Sequence, residues 1–292
     1  TNPLENPVSK NEFNGFWIPR HNAKVMKQGF ENNKAPFLPD ASGNIKVDPI
    51  YNSATGYCLP ANRLIPVQFA KMENGFNSNF VGTRTTIGSM DNNIKENEKG
   101  VFYNFKDEQG EIHTASLFFA EQTQNPEDFI QKSQERLKGT VQFPDVSMAI
   151  ASSEPKEYLG SYIAACRTGM KLSVDPQIAS ELKTKLMPVL ENDFKKPEER
   201  NKALPSLSNV LFDADKRSTE IIRTLSQENG QSMQPKQKKT QSQDMEMCLS
   251  QHKRTIADIP LCLPGGNYGI LSDRLARRFF FKQRSYLRRV LL

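Results

Sequence analysis

The chain has 292 residues, room for one large or two modest domains, and an apolar fraction of 37% with 18 Phe supports a true core. Mean hydropathy is nevertheless negative, which signals solvated length, and no apolar run approaches the roughly 18 residues of a membrane-spanning helix. The formal charge of +6 is concentrated rather than spread: residues 272–292 carry seven basic side chains against the single acid Asp273, so the rest of the chain is electrically balanced and has no bulk preference for anions.

The opening Thr1-Asn2-Pro3-Leu4-Glu5 lacks the basic start and apolar stretch of a signal peptide. The expected location is therefore the cytoplasm, or a host cytosol after delivery, with peripheral membrane association allowed. Four cysteines, Cys58, Cys166, Cys248 and Cys262, fall at no metal-ligand spacing and are read as thiols of a reducing compartment. No phosphate loop, dinucleotide fingerprint or zinc-binding His-Glu pair is present, and no cofactor is expected.

Residues 1–47, dense in Asn, Pro and Gly, are read as an irregular arm. Phe13, Phe16 and Trp17 form an aromatic knot that should pin it to the body, His21 is read as a surface residue, and Ala23 to Phe30 has the pattern of two helical turns. A body of 48–230 follows. Ile65, Val67 and Phe69 alternate with Pro66 and Gln68, which predicts an edge strand, and Phe80 to Ile87 predicts another.

Lys99 to Glu121 is the strongest strand signal. Val101, Tyr103 and Phe105 alternate with Phe102 and Asn104, residues 106–111 supply a turn, and alternation resumes from Ile112 to Phe119. His113 shares its face with Ala115, Leu117 and Phe119, which predicts a buried imidazole or the base of a cleft. Val146, Met148 and Ile150 mark a further strand of what should be one small, mostly antiparallel sheet.

Four amphipathic helices are then expected. The first starts at Asn125-Pro126-Glu127-Asp128 with an inner stripe of Phe129, Ile130, Ser133 and Leu137, and Gly139 closes it. The second begins near Ser153 and turns Tyr158, Tyr162, Ala165 and Cys166 inward. A third starts at Asp175-Pro176 and is ended or bent by Pro188, and a fourth spans about 207–228. Residues 231–258 lack apolar periodicity and read as a flexible linker.

The final segment, 259–292, holds the clearest periodic signal. At about 100° per residue, Leu275, Phe279, Phe280, Tyr286, Leu287, Val290 and Leu291 fall in one arc, and Arg274, Arg277, Arg278, Lys282, Arg284, Arg288 and Arg289 fall in the opposite one. Phe281 and Leu292 are the apolar exceptions. The fold class expected is thus α+β: a small sheet with a helical layer, then a linker and a basic amphipathic helix.

Two functions follow from these patterns. A basic helix with a wide apolar face suits docking at an anionic membrane surface or an acidic protein partner, through the seven basic residues with Phe279 and Phe280. Nucleic acid ranks below these, because phosphates would use the charges and leave the apolar arc unexplained. The second function is catalytic. Cys58 sits between Gly56 and Pro60 at an expected helix start, where a thiolate is favoured, and His113 follows on a strand as a base, with Asp128 or Asn104 to orient it. This Cys-then-His order resembles papain-like and transglutaminase-like thiol enzymes, and the Asp128 separation is similar to the transglutaminase type. The resemblance implies a hydrolase, acyltransferase or deamidase. A balanced body with a polar, cationic end also resembles secreted bacterial effectors.

Overall fold

The computed structural model describes residues 17–106, 109–138 and 142–228, all of which belong to a compact unit spanning Thr1–Cys248. The linker expected at 231–258, the basic segment at 259–292, Gly139, and the knot residues Phe13, Phe16 and the Trp17 ring lie outside what is described.

Helices surround two small sheets, an α+β architecture. The segment read as an irregular arm contains α1 (Trp17–Glu31), where Ala23, Met26 and Phe30 recur at helical spacing and are fully buried. Accordingly His21 is half-buried rather than superficial, and burial together with nearby Lys24 lowers its pKa.

The strands divide between two sheets instead of forming one. In the first, β1 (Asn44–Ile45) pairs antiparallel with β7 (Lys171–Val174), which pairs parallel with β6 (Ser147–Ile150). The parallel pairing requires a crossover, supplied by α5 (Pro155–Thr168). The second sheet has the order β2-β3-β5-β4. Here β2 (Tyr51–Asn52) runs parallel to β3 (Phe80–Gly82), β3 pairs antiparallel with β5 (Ile112–Phe119), and β5 forms the expected hairpin with β4 (Val101–Lys106).

Two expected strands are helical in whole or in part. Ile65, Val67 and Phe69 belong to α2 (Ala61–Asn74), which contains Pro66. Every residue from Leu64 to Phe69 is buried, so apolar alternation there carries no information about a sheet face. Phe80 to Ile87 begins as β3 but turns at Thr83, whose hydroxyl accepts from the Thr86 backbone N–H and starts the short helix α3 (Arg84–Gly88).

Downstream, proline marks the helix starts, although of the residues preceding those prolines only Asp175 caps with its side chain and Asn125 does not. The helices α4 (Pro126–Glu135), α5 and α6 (Pro176–Phe194) each open on proline, and α7 (Leu207–Glu228) follows the predicted range. Pro188 lies inside α6 without ending it. Helix α4 stops at Glu135, before Leu137, which is 40% exposed. The main core is centred on Phe37, whose ring meets Phe30, Phe69, Tyr158 and Tyr162 edge-on, while the Tyr158 hydroxyl donates to the Phe37 carbonyl at 2.9 Å. A smaller core of Phe80, Ile87, Met90, Phe118, Ala120 and Phe129 lies between the second sheet, α3 and α4.

Candidate functional site: an aromatic ladder on the hairpin

The thiol constellation expected from sequence does not assemble. Cys58 bridges to Tyr51 beside β2, three residues before the first residue of α2. The helix N-terminus that should have favoured its thiolate is already occupied, because the Ala61 N–H donates to the Asp215 carboxylate at 2.9 Å. Asp215 in turn holds Arg167 at 2.5 Å, which engages the nearest cation with a carboxylate. Although the residue as a whole is half-buried, its sulfur is enclosed, and burial pushes the Cys58 thiol from 9.0 up to about 11 despite the opposing pull of Arg167. An activated nucleophile needs the opposite shift.

His113 lies elsewhere. Burial along β5 runs from exposed Ile112, His113 and Thr114 to fully enclosed Leu117 and Phe119, so the imidazole is neither a core residue nor in a cleft. The Cys58 side of the sheet meets β5 only through β3, which pairs with Phe118 and Phe119. Phe119 and His113 are six strand residues apart, about 20 Å at roughly 3.3 Å per residue. The proposed orienting groups are engaged as well: Asp128 pairs with Lys132 at 3.0 Å in the first turn of α4, and the Asn104 side chain accepts from the Thr114 hydroxyl at 3.0 Å. Cys166 is core, as expected, and burial pushes its thiol up too.

What the hairpin builds instead is a ladder of flat groups. Because β3 reaches only the last residues of β5, the distal part of the β4-β5 pair is a two-stranded ribbon among the described residues. Its register places Tyr103 opposite Ala115 and Phe105 opposite His113, putting all three rings on one face. The Tyr103 and Phe105 centroids are 6.1 Å apart, and Phe105 stacks on His113 at 5.5 Å with the planes 30° apart. At the inner end, the Arg63 guanidinium from α2 lies over Tyr103, 4.2 Å from the ring centroid. Tyr103 and Phe105 are half-buried while His113 is exposed, so the ladder runs from the body outward to solvent.

Arg63 itself is short of partners. Its Nε is buried without an acceptor, and no carboxylate among the described residues lies within ion-pair distance of it. The alternation of Val101, Tyr103 and Phe105 is visible in the sequence, but nothing there could reveal that a helix residue far upstream would cover Tyr103.

A second feature is a cavity of about 200 Å³ lined by Lys46, Asp48, Lys71, Met72, Gly75, Phe76 and Asn77. Its buried ammonium, Lys71, is already met by Asp48 at 2.7 Å and by the Asn79 side chain. Glu121 likewise accepts the Asn77 and Ser78 backbone N–H groups at 2.7 and 2.6 Å, a structural role. Among the described residues, no group of three or more His, Cys, Asp or Glu is placed to hold a metal, and no helix is long and apolar enough to cross a membrane.

No family model and no curated protein matches the chain. Among solved structures, the metal-free and the Mn(II)-bound crystal structures of the antirestriction ArdC protein from the R388 plasmid are similar to it, each at 12% identity and a TM-score of 0.46, over 74% of this chain and 99% of that one.

Proposed function

We propose that the chain is a binding protein that holds single-stranded nucleic acid on the β4-β5 hairpin, with bases stacking on the ring ladder. The observation that supports this is the continuous run of Arg63, Tyr103, Phe105 and His113, a guanidinium and three rings in which each group lies close to the next along a two-stranded ribbon. The series ends in an exposed imidazole. Each base stacked on an aromatic side chain contributes about 1–3 kcal/mol, largely regardless of sequence. A duplex hides its base faces and should bind poorly to such a platform. Fluorescence anisotropy with a labelled oligothymidylate tests this: the single strand should bind more tightly than the matched duplex, and Phe105→Ala should weaken it about tenfold. Equal affinity for duplex and single strand, unchanged in Phe105→Ala, would remove the reading.

A second proposal concerns residues 274–291, favoured by the separation of apolar and basic residues onto opposite arcs. This segment docks at an anionic membrane surface or acidic partner, each basic residue near such a surface contributing roughly 1 kcal/mol. The test is flotation with anionic vesicles of the chain with and without residues 272–292. Equal recovery of both forms would exclude vesicle docking. The thiol-enzyme alternative finds no support in the enclosed Cys58 sulfur or its separation from His113.

A further inference from the structure

We propose that Arg63 grips a phosphate of the strand stacked on the hairpin, an assignment that rests on the ring platform described above. Three observations converge on this residue. First, its guanidinium carries a full charge in a half-buried position with no carboxylate partner among the described residues, although Arg167 has Asp215 at 2.5 Å and Ser218 at 2.6 Å. A guanidinium held partly out of water without an anion has a desolvation cost that an anionic ligand would reduce. Second, the Nε donor is enclosed and lacks an acceptor. Third, Arg63 occupies the first turn of α2, the positive end of the helix, where no acidic residue is found and where a cation opposes the helix dipole. Helix stability therefore does not explain an arginine there.

The stacking geometry accounts for the choice of arginine. One face of the planar guanidinium rests on Tyr103, which fixes its orientation and leaves edge N–H donors to engage two phosphate oxygens at once. A phosphate held at Arg63 starts the strand at the inner end of the ladder, and its bases then proceed over Phe105 towards His113. The carboxylate at this helix end, Asp215, is engaged by Arg167 and the Ala61 N–H, and so does not compete for Arg63.

The test reads the salt dependence of binding. For single strands, each phosphate that the protein neutralises adds about 0.7 to the slope of log K against log salt. Oligothymidylate and oligouridylate, which share the phosphodiester, are titrated at several salt concentrations. In Arg63→Gln the slope should be shallower by about 0.7 with affinity about tenfold lower, whereas Arg63→Lys should keep the slope and Phe105→Ala should lower affinity at unchanged slope. An Arg63→Gln slope equal to wild type overturns the assignment while leaving the ring platform standing. Absence of single-strand binding by the wild type overturns both. If Arg63→Gln fails to fold, the wild type supplies the readout: the Arg63 Nε–H resonance, identified by its loss in Arg63→Lys, should shift on adding the oligonucleotide, and a resonance that stays put overturns the assignment.

Discussion

Cys58 gives the sharpest quantitative expectation, because two readings of the same residue lead to opposite results. Burial moves its thiol from 9.0 to about 11, so at pH 7.5 the thiolate population is about a hundredfold below that of an unperturbed thiol. Enclosure of the sulfur slows any alkylating reagent further. Iodoacetamide, followed by peptide mass spectrometry, should therefore label Cys58 in the native chain at least about a hundredfold more slowly than in urea, and His113→Ala should leave the native rate unchanged. The same shift fixes a stability trend. The folded value lies above the unfolded one, so the contribution is complete below about pH 9 and is lost as pH rises through about 11, a loss that levels off at roughly 3 kcal/mol. Native labelling as fast as in urea, and slowed in His113→Ala, would restore an activated thiol in place of an enclosed one.

Other substitutions test separate parts of the fold. Gly56 has φ +71°, and a Cβ there would lie 1.9 Å from the Arg136 carbonyl oxygen, so Gly56→Ala should lose roughly 2–4 kcal/mol in urea unfolding; a loss below about 0.5 kcal/mol would contradict that packing. Asp193 is enclosed and accepts the Leu207 N–H at 2.6 Å at the start of α7, so Asp193→Ala should cost about 2 kcal/mol and Asp193→Asn much less. Burial raises the Asp193 pKa, so the wild type should lose stability as pH rises through the folded value while Asp193→Asn does not. Tyr103→Ala should weaken single-strand binding about tenfold, and because it also removes the surface under Arg63 it should be less than additive with Arg63→Gln in a double-mutant cycle.

Helix starts are legible in the sequence, because Asn125-Pro126, Glu154-Pro155 and Asp175-Pro176 satisfy a local geometric need wherever they occur. The hairpin is legible for a similar reason, since β4 and β5 are neighbours in the chain with alternation on both. Alternation misleads at Ile65-Val67-Phe69, where every residue from Leu64 to Phe69 is buried, Gln68 included, so the pattern does not mark one buried face. Strands such as β1 and β2 are two residues long and owe their existence to distant partners, which leaves no local signal. The misplaced histidine has a related cause. Period 2 correctly puts His113 on the Leu117 and Phe119 side, but it says nothing of where along a strand the body ends. Here it ends near Ala115, so a face that is core at one end is solvent-exposed ring surface at the other. Arg63 leaves no mark in the sequence because its significance arises from stacking on Tyr103, a pairing only the fold creates.

Photochemistry can ask whether bases lie on the ladder. A single strand carrying 5-bromodeoxyuridine, irradiated in complex with the full chain, should cross-link to peptides containing Tyr103, Phe105 or His113, and the yield should collapse in Phe105→Ala. Cross-links confined to other segments, with full yield in Phe105→Ala, would place the strand elsewhere and rule out stacking on the hairpin.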